Sequence, residues 1–238
     1  MKIKHIWLFI ISGFSSVIWA QSPKTETLDS LNKQPKTYAL RVGVDASRLL
    51  KTQLNSDFSG IELVGDLQLG KRLFVAAELG TEKIEQQSEL INYTTKGNYI
   101  KLGIDYNIFN NWEGMDNLLA VGLRFASSGH RHAVNQYELY TTHRYFDNPI
   151  ITQGFEVGEK SAISTRWIEL LFGVKVELLQ NLYAGMSLRL HILAKRPEVN
   201  NYGNIYAPGF NRITDDNSFG SSFNYTLTYK FPFRFRKN

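Results

Sequence analysis

The sequence predicts an all-β fold, an eight-stranded antiparallel up-and-down transmembrane β-barrel with a plugged polar lumen. Eight stretches alternate apolar and polar residues with a period of two, the pattern of a strand that separates two unlike environments. The polar faces carry charge, and the chain begins with a segment typical of export signals. Short turns alternate with longer connections, as in bacterial outer-membrane barrels.

The N-terminus has the features of a secretory signal peptide over residues 1–20. Two lysines give a basic start, a short apolar core follows, and Ala20 supplies a small residue before the expected cleavage site. The apolar run is shorter than the ~20 residues that a spanning helix needs. Residues 21–37 are polar and aperiodic, so we expect a flexible periplasmic lead-in there and the barrel over residues 38–238.

Composition excludes several classes of protein. The 238 residues contain no cysteine, so an exported chain of this kind has no disulfide framework. The net charge is +5, but the basic residues are scattered, which argues against a nucleic-acid interface. After the signal segment there is no uncharged apolar window of about twenty residues, so no spanning helix is expected.

The first four predicted strands place apolar residues on one face and charged residues on the other. They lie near residues 38–49, 58–69, 72–80 and 98–109. Their apolar faces hold Leu40, Val42, Val44, Ile61, Leu63, Leu67, Leu73, Val75, Leu79, Ile100, Leu102 and Ile104. Their opposite faces hold Arg41, Asp45, Glu62, Asp66, Glu78, Lys101 and Asp105. In a barrel, this separation puts one face in lipid and the other in the lumen.

The last four predicted strands repeat the separation near residues 118–127, 163–178, 182–194 and 219–235. Their apolar faces include Leu119, Leu123, Phe125, Ile168, Phe172, Val174, Leu188, Leu190, Phe223, Tyr225 and Leu227. Their polar faces include Arg124, Glu169, Lys175, Glu177, Arg189, His191 and Lys230. A ten-stranded barrel remains open if residues 134–160 pair as an embedded hairpin, although a hairpin or loop above the membrane is preferred.

The connections set the expected orientation of the barrel. Strands two and three meet at Gly70-Lys71 and strands six and seven at Gln180-Asn181, and short turns of this kind face the periplasm. The other connections are residues 50–57, 81–97, 110–117, 128–162 and 195–218. Both chain termini therefore fall on the periplasmic side.

The same alternation also fits a soluble sandwich or lipocalin-like barrel with the apolar face inward. Glycines on the polar faces favour the membrane barrel, because a narrow lumen needs room for long side chains. These glycines are Gly43, Gly103, Gly122, Gly173, Gly185 and Gly220. The polar faces also hold nearly equal numbers of acids and bases, as an enclosed ion-pair network requires. We predict that network to contain Arg41, Asp45, Glu62, Asp66, Glu78, Lys101, Asp105, Arg124, Glu169, Lys175, Arg189 and Lys230.

Aromatic residues near the strand ends give a third argument, because amphipathic rings favour the two membrane interfaces. The periplasmic girdle is predicted to contain Tyr38, Phe109, Trp112, Tyr183, Tyr229, Phe231 and Phe233. The outer girdle is predicted to contain Phe58, Tyr99, Phe125, Trp167 and Phe219.

Several runs of sequence resemble one known family, the uncharacterised outer-membrane β-barrel proteins of Bacteroidota that are filed as a domain of unknown function. The runs are VGVDASRLL from Val42, IELVGDLQLGKRLFVAAELG from Ile61, YIKLGIDYNIFNNWEGMDNLLAVGLRF from Tyr99, WIELLFGVKVELLQNLYAGMSLRL from Trp167 and YAPGFNR from Tyr206. The resemblance covers most of the chain after the signal segment. It implies an outer-membrane barrel and no particular activity.

The candidates for chemistry are few. Ser128, His130 and His132 fall in a predicted loop, where a serine and a histidine near the outer leaflet are the minimum for acyl transfer to or from lipid A. His130 and His132, with His143 and Asp147, also have the donor types of a metal site. Spacing alone supports neither, and a solvated loop is the simpler interpretation.

Glu169 and Glu177 are a possible carboxylate pair for acid–base work, but a plugged lumen gives substrate no route. We therefore expect no catalytic residues, cofactor or metal. The predicted function is structural or surface-recognition, in the bacterial outer membrane. The alternatives are an outer-membrane lipid-modifying enzyme and a periplasmic lipid-binding barrel. The expected partners are outer-membrane lipid, the barrel assembly machinery and a ligand of the long loops, with no nucleic acid.

Overall fold

A computed structural model describes residues 37–88, 90–110, 116–139, 149–154, 157–195, 205–213 and 218–234. The predicted signal peptide and nearly all of the lead-in lie outside these residues. So do Trp112, His143 and Asp147, on which part of the girdle and metal-site predictions rested. Among the described residues, no helix is long and apolar enough to cross a membrane.

Eight long strands, three two-residue strands and one helix make up the described structure. The long strands are β1 Thr37–Asp45, β2 Phe58–Gln68, β3 Leu73–Gln87, β4 Ile91–Asn107, β5 Leu118–Glu138, β7 Gly158–Leu179, β8 Leu182–Lys195 and β11 Phe219–Arg234. The helix α1 is Ala46–Leu54, and the short strands are β6 Ile150–Ile151, β9 Tyr206–Ala207 and β10 Asn211–Arg212.

The eight long strands close into an antiparallel barrel. The sheet order is β4-β3-β2-β1-β11-β8-β7-β5, and a further pairing of β4 with β5 joins the two ends. The first strand pairs with the last from Thr37↔Arg234 to Asp45↔Thr226. Each strand otherwise pairs with its neighbours in the chain, so the topology is up-and-down. The predicted eight-stranded barrel is confirmed.

The apolar faces point outward and the charged faces point inward, as the alternation predicted. Leu102, Phe125 and Ile168 are cross-strand neighbours on the outer surface, and Phe125 is 62% exposed. By contrast Lys101 and Glu169, each adjacent in sequence to one of them, are fully buried. The soluble alternative required the apolar faces to point inward, so it is wrong.

The first predicted strand is too long at its end. β1 ends at Asp45, and Ala46–Leu54 forms α1. Asp45 is the N-cap, because its carboxylate accepts the Ser47 backbone N–H at 2.8 Å. An N-cap of this type satisfies an amide that the first helical turn leaves free. The residues after Asp45 therefore continue as a helix.

Two of the predicted loops are mostly strand. Residues 81–97 continue β3 and β4 in register from Thr81↔Asn98 to Gln87↔Asn92. β5 and β7 pair directly as far as Val134↔Gly158. Because these two strands are neighbours in the wall, residues 134–160 do not insert an extra hairpin between them. The ten-stranded alternative is wrong.

The helix and the 205–213 segment lie at the same end of the barrel. α1 follows the end of β1, and Leu193 near the end of β8 packs against the cluster of Tyr99, Ala126, Trp167, Ala207, Phe210 and Ile213. The opposite end holds the short turns and the pair Thr37↔Arg234. We call the helix end the upper end.

Candidate functional site

A layer of buried charge crosses the middle of the barrel, and its centre is Lys101 on β4. The Lys101 ammonium lies 3.3 Å from Glu169, 3.4 Å from Glu62 and 3.6 Å from Glu78, and the side chain is fully buried. Three carboxylates from three other strands therefore surround one cation. An enclosed charge needs such partners, because removing it from water costs on the order of several kcal/mol.

Two arginines complete this layer. Arg189 on β8 donates to Glu78 and lies 3.2 Å from the second oxygen of Glu169. Arg124 on β5 holds Asp105 through two parallel hydrogen bonds of 2.7 and 2.8 Å and contacts Glu78 at 3.3 Å. The fork of two N–H groups matches the carboxylate, which fixes both side chains. We call the residues around Lys101, Arg189 and Arg124 the charge layer.

A second charged group lies nearer the lower end. Asp66 accepts from the Arg41 guanidinium at 2.7 Å and from the Lys175 ammonium at 2.5 Å. The Arg41 guanidinium also stacks 4.6 Å from the centre of the Phe74 ring. Between this group and the charge layer lies a cavity of about 40 Å³. Its size suits ordered water and is too small for a lipid or an organic substrate.

Ten of the twelve residues predicted for the lumen network take part in these two groups. Asp45 does not: its carboxylate caps α1 and accepts from the Asn224 amide at 2.5 Å. Lys230 lies at the lower rim and donates to the half-exposed Asp116. Strand alternation placed both residues on the inward face, but it carries no information on which groups lie at the same height.

The upper end is closed by residues outside the predicted lumen network. Glu82 on β3 accepts from the Tyr206 hydroxyl at 2.9 Å and from the Gly209 backbone N–H at 3.1 Å. Arg48 of α1 forms an ion pair with the same carboxylate. Glu82 therefore fastens both the helix and the 205–213 segment to the barrel wall. We call α1, Glu82 and residues 205–213 the cap.

The electrostatics of the cap follow from its burial. Burial raises the pKa of the Tyr206 hydroxyl above its ordinary value, and the adjacent Glu82 carboxylate raises it further. Burial by itself lowers the pKa of Arg48, but the carboxylates of Glu82 and Glu62 outweigh it and the net direction is upward. Tyr206 therefore keeps its proton and Arg48 its charge.

Aromatic rings join the cap to the charge layer. Trp167 packs edge-on against Phe210 with 5.8 Å between ring centres, and its indole N–H donates to Glu169 at 2.7 Å. Tyr99 donates its hydroxyl proton to Glu62. The apolar parts of these rings pack under the cap, while their polar atoms satisfy carboxylates of the charge layer.

Four residues of the predicted aromatic girdles point into the barrel instead. Phe58, Tyr99, Trp167 and Tyr183 are buried, so their assignment to the membrane interfaces is wrong. Each of the four lies at an inward-facing position of its strand. Nearness to a strand end does not show which face of the strand a residue occupies. Phe109, Phe125, Phe219, Tyr229 and Phe231 are exposed, as a girdle requires.

Gly209 permits a close contact between the cap and Tyr99 on β4. Its φ is +83°, in the left-handed region, and a Cβ there would lie 2.7 Å from Cγ of Tyr99. Any other residue would be strained and would displace the Tyr99 ring.

The serine and histidines proposed for chemistry lie on β5, not in a loop. Ser128, His130 and His132 all face the interior and are buried. Ser128 lies 3.4 Å from Nδ1 of His130, while Nδ1 of His132 lies 2.6 Å from the Thr95 hydroxyl. The barrel wall separates these side chains from lipid. They therefore cannot reach an acyl chain in the outer leaflet.

The described residues assemble neither a metal site nor a carboxylate pair, and the predicted ligands His143 and Asp147 lie outside them. Within the residues described above, no three His, Asp or Glu side chains group as metal ligands. Glu169 belongs to the charge layer, whereas Glu177 accepts the backbone N–H of Asn181 at the lower turn. The two lie eight residues apart on one strand, roughly 26 Å at the usual rise.

The model of one protein family, described as "Domain of unknown function (DUF6048)", matches residues 1–236. The chain belongs to this family. No match was found among curated proteins. The assignment agrees with the predicted family type, and the Bacteroidota source stays a prediction.

Among solved structures, the DUF6048 chain is similar to Ail, the attachment invasion locus protein of Yersinia pestis. The identity is 10% over 83% of this chain and 100% of Ail, with a TM-score of 0.40. The chain is also similar to Neisserial surface protein A (NspA). The identity is 10% over 83% of this chain and 96% of NspA, with a TM-score of 0.37.

Proposed function

We propose that this chain is an exported outer-membrane barrel with a sealed lumen, which acts in surface recognition through its upper hairpins and performs no catalysis. One observation carries the proposal. An apolar belt surrounds the outer surface, and above it the wall continues on one side only, with a polar exterior.

The belt is continuous around the barrel. Every long strand contributes exposed aliphatic or aromatic residues, of which Val42, Leu63, Val75, Leu102, Leu123, Phe172, Leu188 and Leu227 are examples. A soluble monomer rarely exposes so large an apolar surface, whereas lipid covers it without cost. The closed sheet leaves no unpaired strand edge in that lipid.

The wall above the belt is asymmetric. β3 continues to Gln87, β5 continues to Glu138, and β4 and β7 begin at matching heights at Ile91 and Gly158. Their outward residues at this height are mostly polar and include Thr81, Lys83, Glu85, Thr94, Lys96, Asn98, Arg131, Asn135 and Ser164. β1 and β11 have no such extension. The raised half is a rigid platform that suits contact with a partner outside the cell.

The interior supports recognition over transport. The charge layer and the cap occupy successive sections of the lumen, and the cavity beneath the charge layer is about 40 Å³. Neither a lipid nor a hydrophilic solute fits such a space. The lipid-carrier and lipid-modifying alternatives therefore have no supporting feature in the described residues.

Location and orientation are tested by cysteine labelling, because the chain contains no native cysteine. Lys83→Cys places a thiol on the raised wall, and Lys71→Cys is its matched control in a turn at the lower end. Intact cells are treated with a membrane-impermeant maleimide. We expect labelling at position 83, and labelling at position 71 only after the envelope is opened.

Gel migration of the extracted protein, boiled and unboiled, accompanies the labelling. A closed barrel in the outer-membrane fraction gives a heat-shifted band. A water-soluble protein without a shift, or equal labelling at positions 71 and 83 on intact cells, would contradict the proposal.

A further inference from the structure

A polar notch interrupts the outer surface of the raised wall. Its floor is Gly129 on β5, and its sides are the cross-strand partners Asn98 on β4 and Ser164 on β7. A Cβ added at Gly129 would meet no heavy atom within 4 Å, so the floor is open. The space above it measures about 580 Å³ and is also lined by Lys96, Arg131 and Glu159.

Basic side chains at this height are direct cross-strand partners of one another. Lys83 is the direct partner of Lys96, and Lys96 is the direct partner of Arg131. Like charges placed directly opposite each other destabilise a sheet. Three adjacent strands nevertheless present their cations in one row, an arrangement that an anion bound at the surface would stabilise.

The available acids do not neutralise this row. Lys83 pairs with Glu85, and Arg131 lies 3.4 Å from Glu159 with both side chains more than half exposed. Exposed pairs of this kind contribute little. No carboxylate of the described residues lies within ion-pair distance of Lys96. The row therefore keeps excess positive charge beside the notch.

The backbone beside the notch is shaped by a β-bulge. The register of β5 and β7 shifts between His130 and His132, and Ala162 on the bulged strand has a φ of 61°. A left-handed backbone is strained for alanine, because its Cβ approaches the following carbonyl oxygen. Such a bulge redirects the strand locally, and Ala162 lines the notch.

The notch lies just above the apolar belt. Ile100, the next outward residue of β4 below Asn98, still belongs to the belt, and Arg166 on β7 is exposed at the same level as Ile100. Two residues of strand span roughly 7 Å, so the notch lies at the level of lipid headgroups if the belt spans the membrane.

We infer that the notch binds a phosphate monoester of an outer-leaflet lipid headgroup. Lys96 and Arg131 supply the positive charge, and Asn98 and Ser164 supply neutral hydrogen-bond donors. Arginine forks and lysine ammoniums are the usual phosphate partners in proteins. The inference rests on the proposed membrane location for the source of the phosphate, whereas the binding chemistry is measurable in detergent.

The test uses the purified barrel in neutral detergent, titrated with phosphatidic acid and followed by native mass spectrometry. Gly129→Val places a branched side chain on the floor of the notch without removing any charge, and valine suits an exposed strand position with open space around it. We expect retention of phosphatidic acid to fall roughly tenfold. Gly70→Val is the matched control, because a Cβ at Gly70 also meets nothing within 4 Å.

A second pair of variants tests the charges. Lys96→Gln with Arg131→Gln should reduce retention by a similar factor, while Lys71→Gln with Arg72→Gln, which removes equal charge at the lower end, should not. Equal retention by the wild type and both notch variants would overturn the inference. So would equal retention of phosphatidylcholine, which lacks a phosphate monoester, or displacement of the lipid by an equal concentration of inorganic phosphate.

The two proposals fail in different ways. Loss of phosphatidic acid binding in the notch variants, with no surface labelling of Lys83→Cys, contradicts the location alone. Normal surface labelling with unchanged lipid retention contradicts the notch alone.

Discussion

The charge layer and the cap both close the lumen, but they do so with different chemistry and different parts of the chain. The charge layer is built from side chains of regular strands, and its contacts are ion pairs around Lys101 and Arg189. The cap is built from a helix and a non-repetitive segment fastened to one carboxylate, Glu82. The comparison shows that side chains at alternate strand positions fill the middle of a narrow barrel, whereas segments that connect the strands fill its end.

The two regions should also differ in how far the effect of a substitution extends through the barrel. The central residues of the charge layer, Lys101, Glu78 and Arg189, have partners on several strands, so the loss of one of them should affect the whole barrel. The cap meets the wall through a few contacts at the upper end: Glu82, the pair of Arg48 with Glu62, the bonds of Thr52 to the Gly60 backbone, and ring contacts around Tyr99, Trp167 and His191. Loss of a cap contact should therefore loosen the upper end first.

The largest effect is expected from Lys101→Met. The change leaves Glu62, Glu78 and Glu169 near one another without their central cation. We expect the free energy of unfolding to fall by about 4 kcal/mol, as for other broken buried ion pairs. Urea titration of the folded barrel, followed by tryptophan fluorescence, measures it.

The matched control is Lys230→Met at the lower rim, where the partner Asp116 is half exposed. That change should cost ~1 kcal/mol or less. Adding Glu62→Gln to Lys101→Met should restore part of the loss, since it removes one uncompensated charge. Equal losses at positions 101 and 230 would show that the charge layer has no special role.

A smaller and more local effect is expected from Glu82→Gln. The amide keeps one oxygen that can accept from both the Tyr206 hydroxyl and the Gly209 N–H, but it removes the charge that pairs with Arg48. The expected loss is about 2 kcal/mol, the usual contribution of hydrogen bonds to a charged group. Hydrogen–deuterium exchange of residues 205–213 should accelerate while the lower strands keep their protection.

Glu85→Gln is the control for that change, because Glu85 lies three residues away on β3 and its pair with Lys83 is exposed. It should leave exchange of residues 205–213 unchanged. Uniform acceleration along all strands in Glu82→Gln would mean that cap and barrel unfold as one unit.

The smallest of the three effects is expected from Gly209→Ala. The left-handed φ and the 2.7 Å approach to Tyr99 should cost about 1–2 kcal/mol. Gly70→Ala, in open space at the lower end, should stay within roughly 0.5 kcal/mol of the native chain. Thermal unfolding of the two variants side by side checks the difference. Equal midpoints would show that the tight turn at Gly209 does not stabilise the cap.

The sequence by itself determined the barrel and the content of the charge layer. Alternation with a period of two assigns every strand residue to one of two faces without knowledge of any partner, and the glycines and balanced charges of the polar face favoured the lumen for it. Arg41, Glu78, Lys101 and Arg189 were placed inside for that reason. Nearly equal numbers of acids and bases then implied that they pair.

Only the tertiary structure decided the cap and the notch. The cap depends on Asp45 ending β1 and on residues 205–213 returning to Glu82, which lies 124 positions from Tyr206. The notch depends on the register of β4, β5 and β7, since Asn98, Gly129 and Ser164 are adjacent only across strands. Period-two patterns give the face of a residue but not its height, and height is set by how the strands are staggered around the closed barrel.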